Sequence, residues 1–252
     1  MSTLSSPTTP TSPTPNLFNI APPPWHALLK KSYNKNFLYM DDPVFISMSN
    51  IKRSGEISMH CLQFQSFIED DARFLIFHIA LNDNLMGDIK SDPNARLCWT
   101  MPKSKEYYKF SGKFYIASSP LQVTRFPPPK PIKSQLSAAE FWEKERKQQW
   151  KSLSDKVRAT YTWPSRGDCP RAGTASFSCQ SLKYFDEQTG NNKLDSNDKL
   201  KIVHSIAMDN YCLLVFKVTE VEYFDYNGYP PRRNLFCFSM KDNMWSTVEL
   251  NP

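Results

Sequence analysis

Three strand-like runs follow one another between Pro43 and Leu81 with very little chain between them. PVFISMS (Pro43–Ser49) is followed by a turn over Asn50–Gly55 and a longer run over Glu56–Ile68. The acidic corner Asp70-Asp71 then leads into the nearly continuous apolar run ARFLIFHIAL (Ala72–Leu81). Connections this short can only reverse a strand, because a parallel neighbour needs a crossover of a dozen residues or more. The stretch therefore commits the chain to antiparallel sheet.

Ala95–Gly112 (ARLCWTMPKSKEYYKFSG) extends the pattern. Cys98, Trp99 and Met101 read as a run buried on both sides, and Pro102 ends it because proline cannot donate to a ladder. Lys103, Ser104 and Lys105 form an exposed cationic corner. Tyr107–Gly112 resumes with the period of two that marks a half-buried strand. Such a corner can hold an anion at a barrel rim or be an ordinary solvated hairpin. Tyr211–Phe224 (YCLLVFKVTEVEYF) is the clearest strand of all, and Leu235–Met240 and Trp245–Leu250 follow it. The chain has 20 Pro against 7 Gly and is 13% aromatic, a balance that favours β structure and disfavours glycine-loop nucleotide folds.

Helices are expected in three places. Trp25, Leu28, Leu29 and Tyr33 share one face after Pro22-Pro23-Pro24. Asn82–Asp92 is a short helix or loop. After the Pro-rich connection Phe126–Lys133, Ser137 and Glu140 form a capping box. Trp150, Leu153 and Val157 then mark one face of a helical segment running to Tyr161, before TWPSRG (Thr162–Gly167). The expected organisation is a disordered Ser/Thr/Pro-rich tail over 1–20 and one mainly β, α+β domain over 21–252. A mobile excursion is expected over about 168–198, and Ser205–Met208 is unassigned.

Net charge is +6 over 252 residues, modest and mixed with acids, with no Lys/Arg run of the nucleic-acid-tail kind. No nucleic-acid or membrane partner is expected. Of six cysteines, Cys61, Cys98, Cys212 and Cys237 lie in apolar runs and read as reduced core residues. A reducing, cytoplasmic location is expected, with the nucleus as an alternative. The histidines are scattered and no metal site is expected. There is no G-x-S-x-G elbow, and His78 reads as a packed, hydrogen-bonded core histidine. Arg232-Arg233, behind Pro230-Pro231, suit a phosphate or carboxylate, or a solubilising loop.

Three blocks together resemble the pyridoxamine 5′-phosphate oxidase superfamily, in one FMN-binding split-barrel branch of which this chain looks like a divergent member. They are Ala95–Gly112, FWEKERKQQWKSLSDKVRATYTWPSRG (Phe141–Gly167) and the C-terminal LLVFKVTEVEYFDYNGYPPRRNLF with Trp245. The resemblance implies an antiparallel split β-barrel with flanking helices that binds FMN at a homodimer interface. It also implies oxidation of a small phosphorylated substrate by hydride transfer to the flavin, with oxygen restoring the flavin. Carried over by position, it assigns cofactor contacts to His60, Cys61, Leu62, Gln63, Phe64, Lys105, Tyr107, Lys109 and Arg233. Substrate contacts fall to Gln65 and Arg232. His60 and Gln65 stand where the family has basic residues, and Leu85–Ile89 lacks its phosphate-binding lysine. Two readings follow: an FMN-dependent oxidoreductase, or a non-catalytic split barrel with weak or lost FMN binding that serves as a ligand-binding or interaction module.

Overall fold

The computed structural model describes residues 22–169, 173–185 and 197–252. Among these, eight strands form one antiparallel sheet: β1 (Phe45–Ile51), β2 (Ile57–Phe67), β3 (Phe74–Ala80), β4 (Asn94–Met101), β5 (Glu106–Ala117), β6 (Tyr211–Asp225), β7 (Arg232–Ser239) and β8 (Met244–Leu250). Their order is β3-β2-β1-β4-β5-β6-β7-β8, and β3 also pairs with β6. That extra pairing closes six strands into a barrel and leaves β7 and β8 as an extension. Closure removes the exposed edges that an open sheet would carry. The expected antiparallel split β-barrel is therefore the observed fold.

The interior is filled by alternate residues of the strands, among them Met48, Phe64, Leu97, Trp99, Tyr108, Phe110, Phe114 and Phe216. The helix α1 (Pro24–Phe37) packs on this cluster through Trp25, Leu29, Tyr33 and Phe37. Leu28, expected on the same face, is 38% exposed. Two polar side chains tie α1 down: Ser32 Oγ lies 2.8 Å from Tyr108 Oη, and Asn36 Nδ2 donates to Ser104 Oγ at 2.8 Å.

A second core lies outside the barrel. The outward residues Phe74, Ile76, Ala80, Leu213 and Val215 of β3 and β6 are covered by α3 (Ala138–Ser152), α4 (Asp155–Ala159), Tyr161 and α5 (Asn197–Asn210). Buried Arg146 joins cover to barrel: it pairs with Glu143 and donates to the carbonyls of Met208 and Tyr211. A bulge marks the edge of this covered zone. Thr219 of β6 is the extra residue between the pairs Ser111↔Glu220 and Gly112↔Val218, and its Oγ1 donates to the Ser111 carbonyl. A Cβ on Gly112 would stand 2.2 Å from the Lys217 carbonyl oxygen, so only glycine lets the two strands approach there.

Several expectations are corrected. β4 is buried on one side only: Ala95, Leu97, Trp99 and Met101 point in, while Cys98 is exposed. Cys61 is exposed and Cys237 half-buried, so of the four strand cysteines only Cys212 is a core residue. Ser104 is buried within its cationic corner, held by Asn36. The helical segment after the capping box does not run unbroken to Tyr161. It stops at Leu153, whose ψ of 147° is extended, restarts from the Ser154 cap, and leaves Val157 41% exposed. The expected short helix or loop over Asn82–Asp92 is indeed a helix, α2 (Asn84–Ser91), capped by Asp83. Ser205–Met208 is helical, inside α5. Arg232 and Arg233 are in strand β7 rather than in the turn before it. The tail over 1–20, and residues 170–172 and 186–196 of the expected 168–198 excursion, lie outside the described residues.

Candidate functional site

A cavity of about 890 Å³ opens where β2 meets the helical cover. Sequence and register explain its position. β2 and β3 pair as Phe64↔Phe77 and then Ser66↔Ile76, so Gln65 is an extra, bulged residue. The bulge keeps Phe64 and Phe67 against the interior and brings Gln65 and Ser66 together to the cavity wall. Bulges commonly re-aim a side chain beside a site in this way. The opposite wall is α3, fixed by the capping box of Ser137 and Glu140.

The floor is a hydrogen-bonded relay. Gln149 Nε2 donates to Ser66 Oγ (3.1 Å) and to Glu145 Oε1 (2.6 Å). With both amide hydrogens used, Gln149 Oε1 faces His78 Nε2 at 2.7 Å, and the imidazole must be the donor. This fixes the neutral tautomer with its proton on Nε2. Burial is the main reason the His78 pKa falls to about 4; the bond to Gln149 opposes the shift and nearby positive Arg166 adds to it. Phe67, Ile68, Leu136 and Phe141 supply apolar wall, Lys133 and Lys144 supply positive charge, and Glu69, Asp70 and Glu145 supply negative charge. Neither lysine has a carboxylate partner among the described residues. A cavity of this size with amide, hydroxyl and cationic groups beside flat apolar wall suits a planar polar ligand.

Of the sequence-derived site residues, Gln65 lines this cavity. Along β2, His60, Leu62 and Phe64 share the interior side with Met48 and Ile46. Phe64 packs its ring on Trp99, with centroids 4.7 Å apart, and His60 Nε2 lies 2.9 Å from Ser58 Oγ. Cys61 and Gln63 face out and are exposed. The remaining residues lie across the barrel. The pairs Cys61↔Ser47, Ser47↔Cys98 and Cys98↔Lys109 place Cys61 and Lys109 three strands apart, roughly 14 Å. Within one copy these two groups stand on different strands of the barrel wall.

The second group is also internally paired. Glu222 accepts from Lys109 Nζ (3.1 Å) and from Arg233 Nε and Nη2 (3.1 and 2.8 Å). Burial alone would raise its pKa, but these two cations outweigh burial and hold the carboxyl below its ordinary range. Arg232 pairs with Asp225 at 3.2 Å. Tyr107 stacks on Phe224, with centroids 5.0 Å apart. Lys105, in the turn before β5 with a φ of 53°, keeps an exposed ammonium. The sequence reading missed Ser66, Lys133, Lys144 and Gln149. The one signal available was His78, the single polar residue of β3, and its packed, hydrogen-bonded state is as expected.

No protein-family model matches the chain, and no curated protein does. Solved structures do. A pyridoxamine 5′-phosphate oxidase-related, FMN-binding protein from Nostoc punctiforme PCC 73102 superposes with a TM-score of 0.66 at 19% identity, over 91% of this chain and 98% of that one. PhzG from Burkholderia lata 383, solved with tetrahydrophenazine-1-carboxylic acid, superposes with a TM-score of 0.56 at 13% identity, over 96% and 98%. The likeness is one of fold: this chain and both of these proteins share the antiparallel split barrel.

Proposed function

We propose that the protein is a flavin-dependent oxidoreductase of the pyridoxamine-phosphate-oxidase kind, with the β2–α3 cavity as its ligand site. The observation that carries this reading is the donor set of that cavity. An isoalloxazine is a flat tricycle with a uracil-like polar edge. It needs apolar walls, such as Phe67, Leu136 and Phe141, and amide or hydroxyl partners, such as Gln65, Gln149 and Ser66. Its phosphate tail needs cations, and Lys133 and Lys144 are unpaired among the described residues and line the same cavity. These residues fit FMN. When bound, the flavin supplies two-electron chemistry, taking a hydride from substrate and passing electrons to oxygen.

The chain supplies position and a controlled environment. Gln149 is locked by Ser66, Glu145 and His78, so its orientation needs no rearrangement when a ligand arrives. His78 stays neutral at neutral pH and therefore acts as a positioning residue, not as a charge. The helix α3 and the 133–136 segment keep bulk water from the floor. The substrate in this reading is a small phosphorylated amine or alcohol.

A second copy of the chain would cover the bare outer face of β1, β2 and β4. Ile51, Ile57 and Met59 stand together at one end of the β1–β2 pair, 46%, 80% and 76% exposed, and Phe45 stands 56% exposed at the other end. Lys105, Tyr107, Lys109 and Arg233 share that outer surface, and a two-fold partner would bring one copy's β5–β7 groups toward the other copy's β2.

FMN titration by calorimetry tests this reading. Tight binding that weakens about tenfold in a Lys133→Ala, Lys144→Ala variant is expected, since a charge-assisted phosphate contact is worth about 1.5–3 kcal/mol. A colourless protein that takes up no added FMN sinks it. The outcome would then be the non-catalytic reading, which one observation favours: Lys109 and Arg233 are already neutralised by Glu222.

A further inference from the structure

A second cavity, about 350 Å³, lies on the other side of the β2–β3 turn from the large one. It is bounded by the start of α1, the turn itself, Ile132-Lys133 and Trp245 of β8. Its walls are pinned. Arg73 forms a two-point pair with Asp71 (2.9 and 2.7 Å), and Asp71 also accepts from the Ile132 amide at 3.3 Å. The Lys133 amide donates to the Asp70 carbonyl at 3.1 Å. Pro22 and Pro23 stiffen the remaining side. The space is therefore a property of ordered elements.

Three observations describe what would fill it. Trp245 Nε1 and His26 Nε2 are buried without a hydrogen-bond partner, and both side chains line the cavity. An indole N–H can only donate, so it wants an acceptor. Lys30 and Lys133 line the same space, and neither has a carboxylate partner among the described residues. Phe67, Ile132, Pro22, Pro23 and the Trp245 ring form an apolar remainder.

We propose that this cavity binds a small organic monocarboxylate with an aromatic or branched apolar body. A carboxylate supplies acceptors for Trp245 Nε1–H and charge for the two lysines, and its apolar body fills the proline- and aromatic-lined part. Glu69 and Asp70 also line the cavity and Asp71 has already taken Arg73, so the apolar body and the Trp245 N–H, more than net charge, select the ligand. His26 is held neutral down to about pH 4, chiefly by burial and then by Lys30 and Lys133, so it offers a hydrogen bond and no charge. The site shares Phe67, Ile68, Glu69, Asp70 and Lys133 with the larger cavity, but the proposal does not rest on the flavin reading.

The test is an NMR titration of ¹⁵N-labelled full-length protein with benzoate, using benzamide as the uncharged control. The Trp245 indole signal is identified by its loss in Trp245→Phe. Benzoate is expected to move that signal, and Lys30→Gln, which changes a lysine lining this cavity and not the larger one, is expected to weaken binding about tenfold. Benzamide should bind at least about tenfold more weakly than benzoate. No movement of the Trp245 signal at about 10 mM benzoate, or an equal response to benzamide, would overturn the proposal. So would unchanged benzoate affinity in Lys30→Gln.

Discussion

The outer surface of the barrel has two halves built from the same alternation and treated in opposite ways. On β3 and β6, the outward Phe74, Ile76, Leu213 and Val215 are fully buried beneath α3, Tyr161 and α5. On β1 and β2, the outward Phe45, Ile51, Ile57 and Met59 are 56%, 46%, 80% and 76% exposed. A period of two reports only the pleat. Whether the outward set is covered depends on where the later helices return. The difference also locates chemistry: the polar relay of Ser66, Gln149 and His78 lies where the cover ends against the β2 bulge, so its groups are shielded yet reachable from a cavity.

The largest effect is expected from breaking the line between the halves. The bulge at Thr219, opposite Gly112, is where β5 and β6 pass from bare to covered. Gly112→Val places a Cβ against the Lys217 carbonyl at 2.2 Å and the Phe216 ring at 2.8 Å, where backbone must shift. A loss of about 4 kcal/mol in urea unfolding is expected, the range of mutations that force a packed backbone apart. A loss under about 1 kcal/mol would mean the bulge is soft and the covered half does not depend on it.

The covered half should also carry the acid sensitivity. His78 has its pKa near 4 when folded and near 6.5 when unfolded, so between those values the unfolded chain takes up a proton that the fold refuses. Its contribution is complete above pH 6.5 and is lost as pH falls toward 4, by up to about 3 kcal/mol. On the bare half, Glu222 has its pKa held low, so its pairing persists to more acid pH and adds little in this window. His78→Gln keeps a donor for Gln149 and removes the titration. Urea midpoints from pH 7 to 4.5 should fall less steeply in the variant, with His26 supplying the slope that remains. Identical slopes would place the acid sensitivity elsewhere.

What could be read in advance follows the range of each interaction. The strands, the α1 face and the Ser137–Glu140 box depend on neighbours a few residues away, and they stand where expected. The bulge at Gln65 could not be read, because an extra residue is defined only against the partner strand. Gln149 reaches Ser66 and His78 from 83 and 71 residues away, so nothing local marks it as part of a site. The ion pair of Lys109 is equally illegible locally, because Glu222, its partner, is 113 residues further on. Cys98 was misread for a simpler reason: beside Trp99 and Met101 it resembles core, and only the pleat sends it outward.

The smallest effect on stability, and the sharpest on the comparison, is expected from Ile57→Glu. Ile57 is 80% exposed, so a charge there should change the stability of one copy by no more than about 0.5 kcal/mol. If the bare half is covered by a second copy, the same charge would be buried without a partner at the interface, a cost of several kcal/mol. Light scattering should therefore give a dimer for the natural chain and a monomer for Ile57→Glu, with thermal melting of the monomer unchanged. A dimer that survives the substitution would remove β1 and β2 from the interface. The two halves of the barrel would then differ only in the helices that cover one of them, and the exposed Ile57 and Met59 would need another explanation.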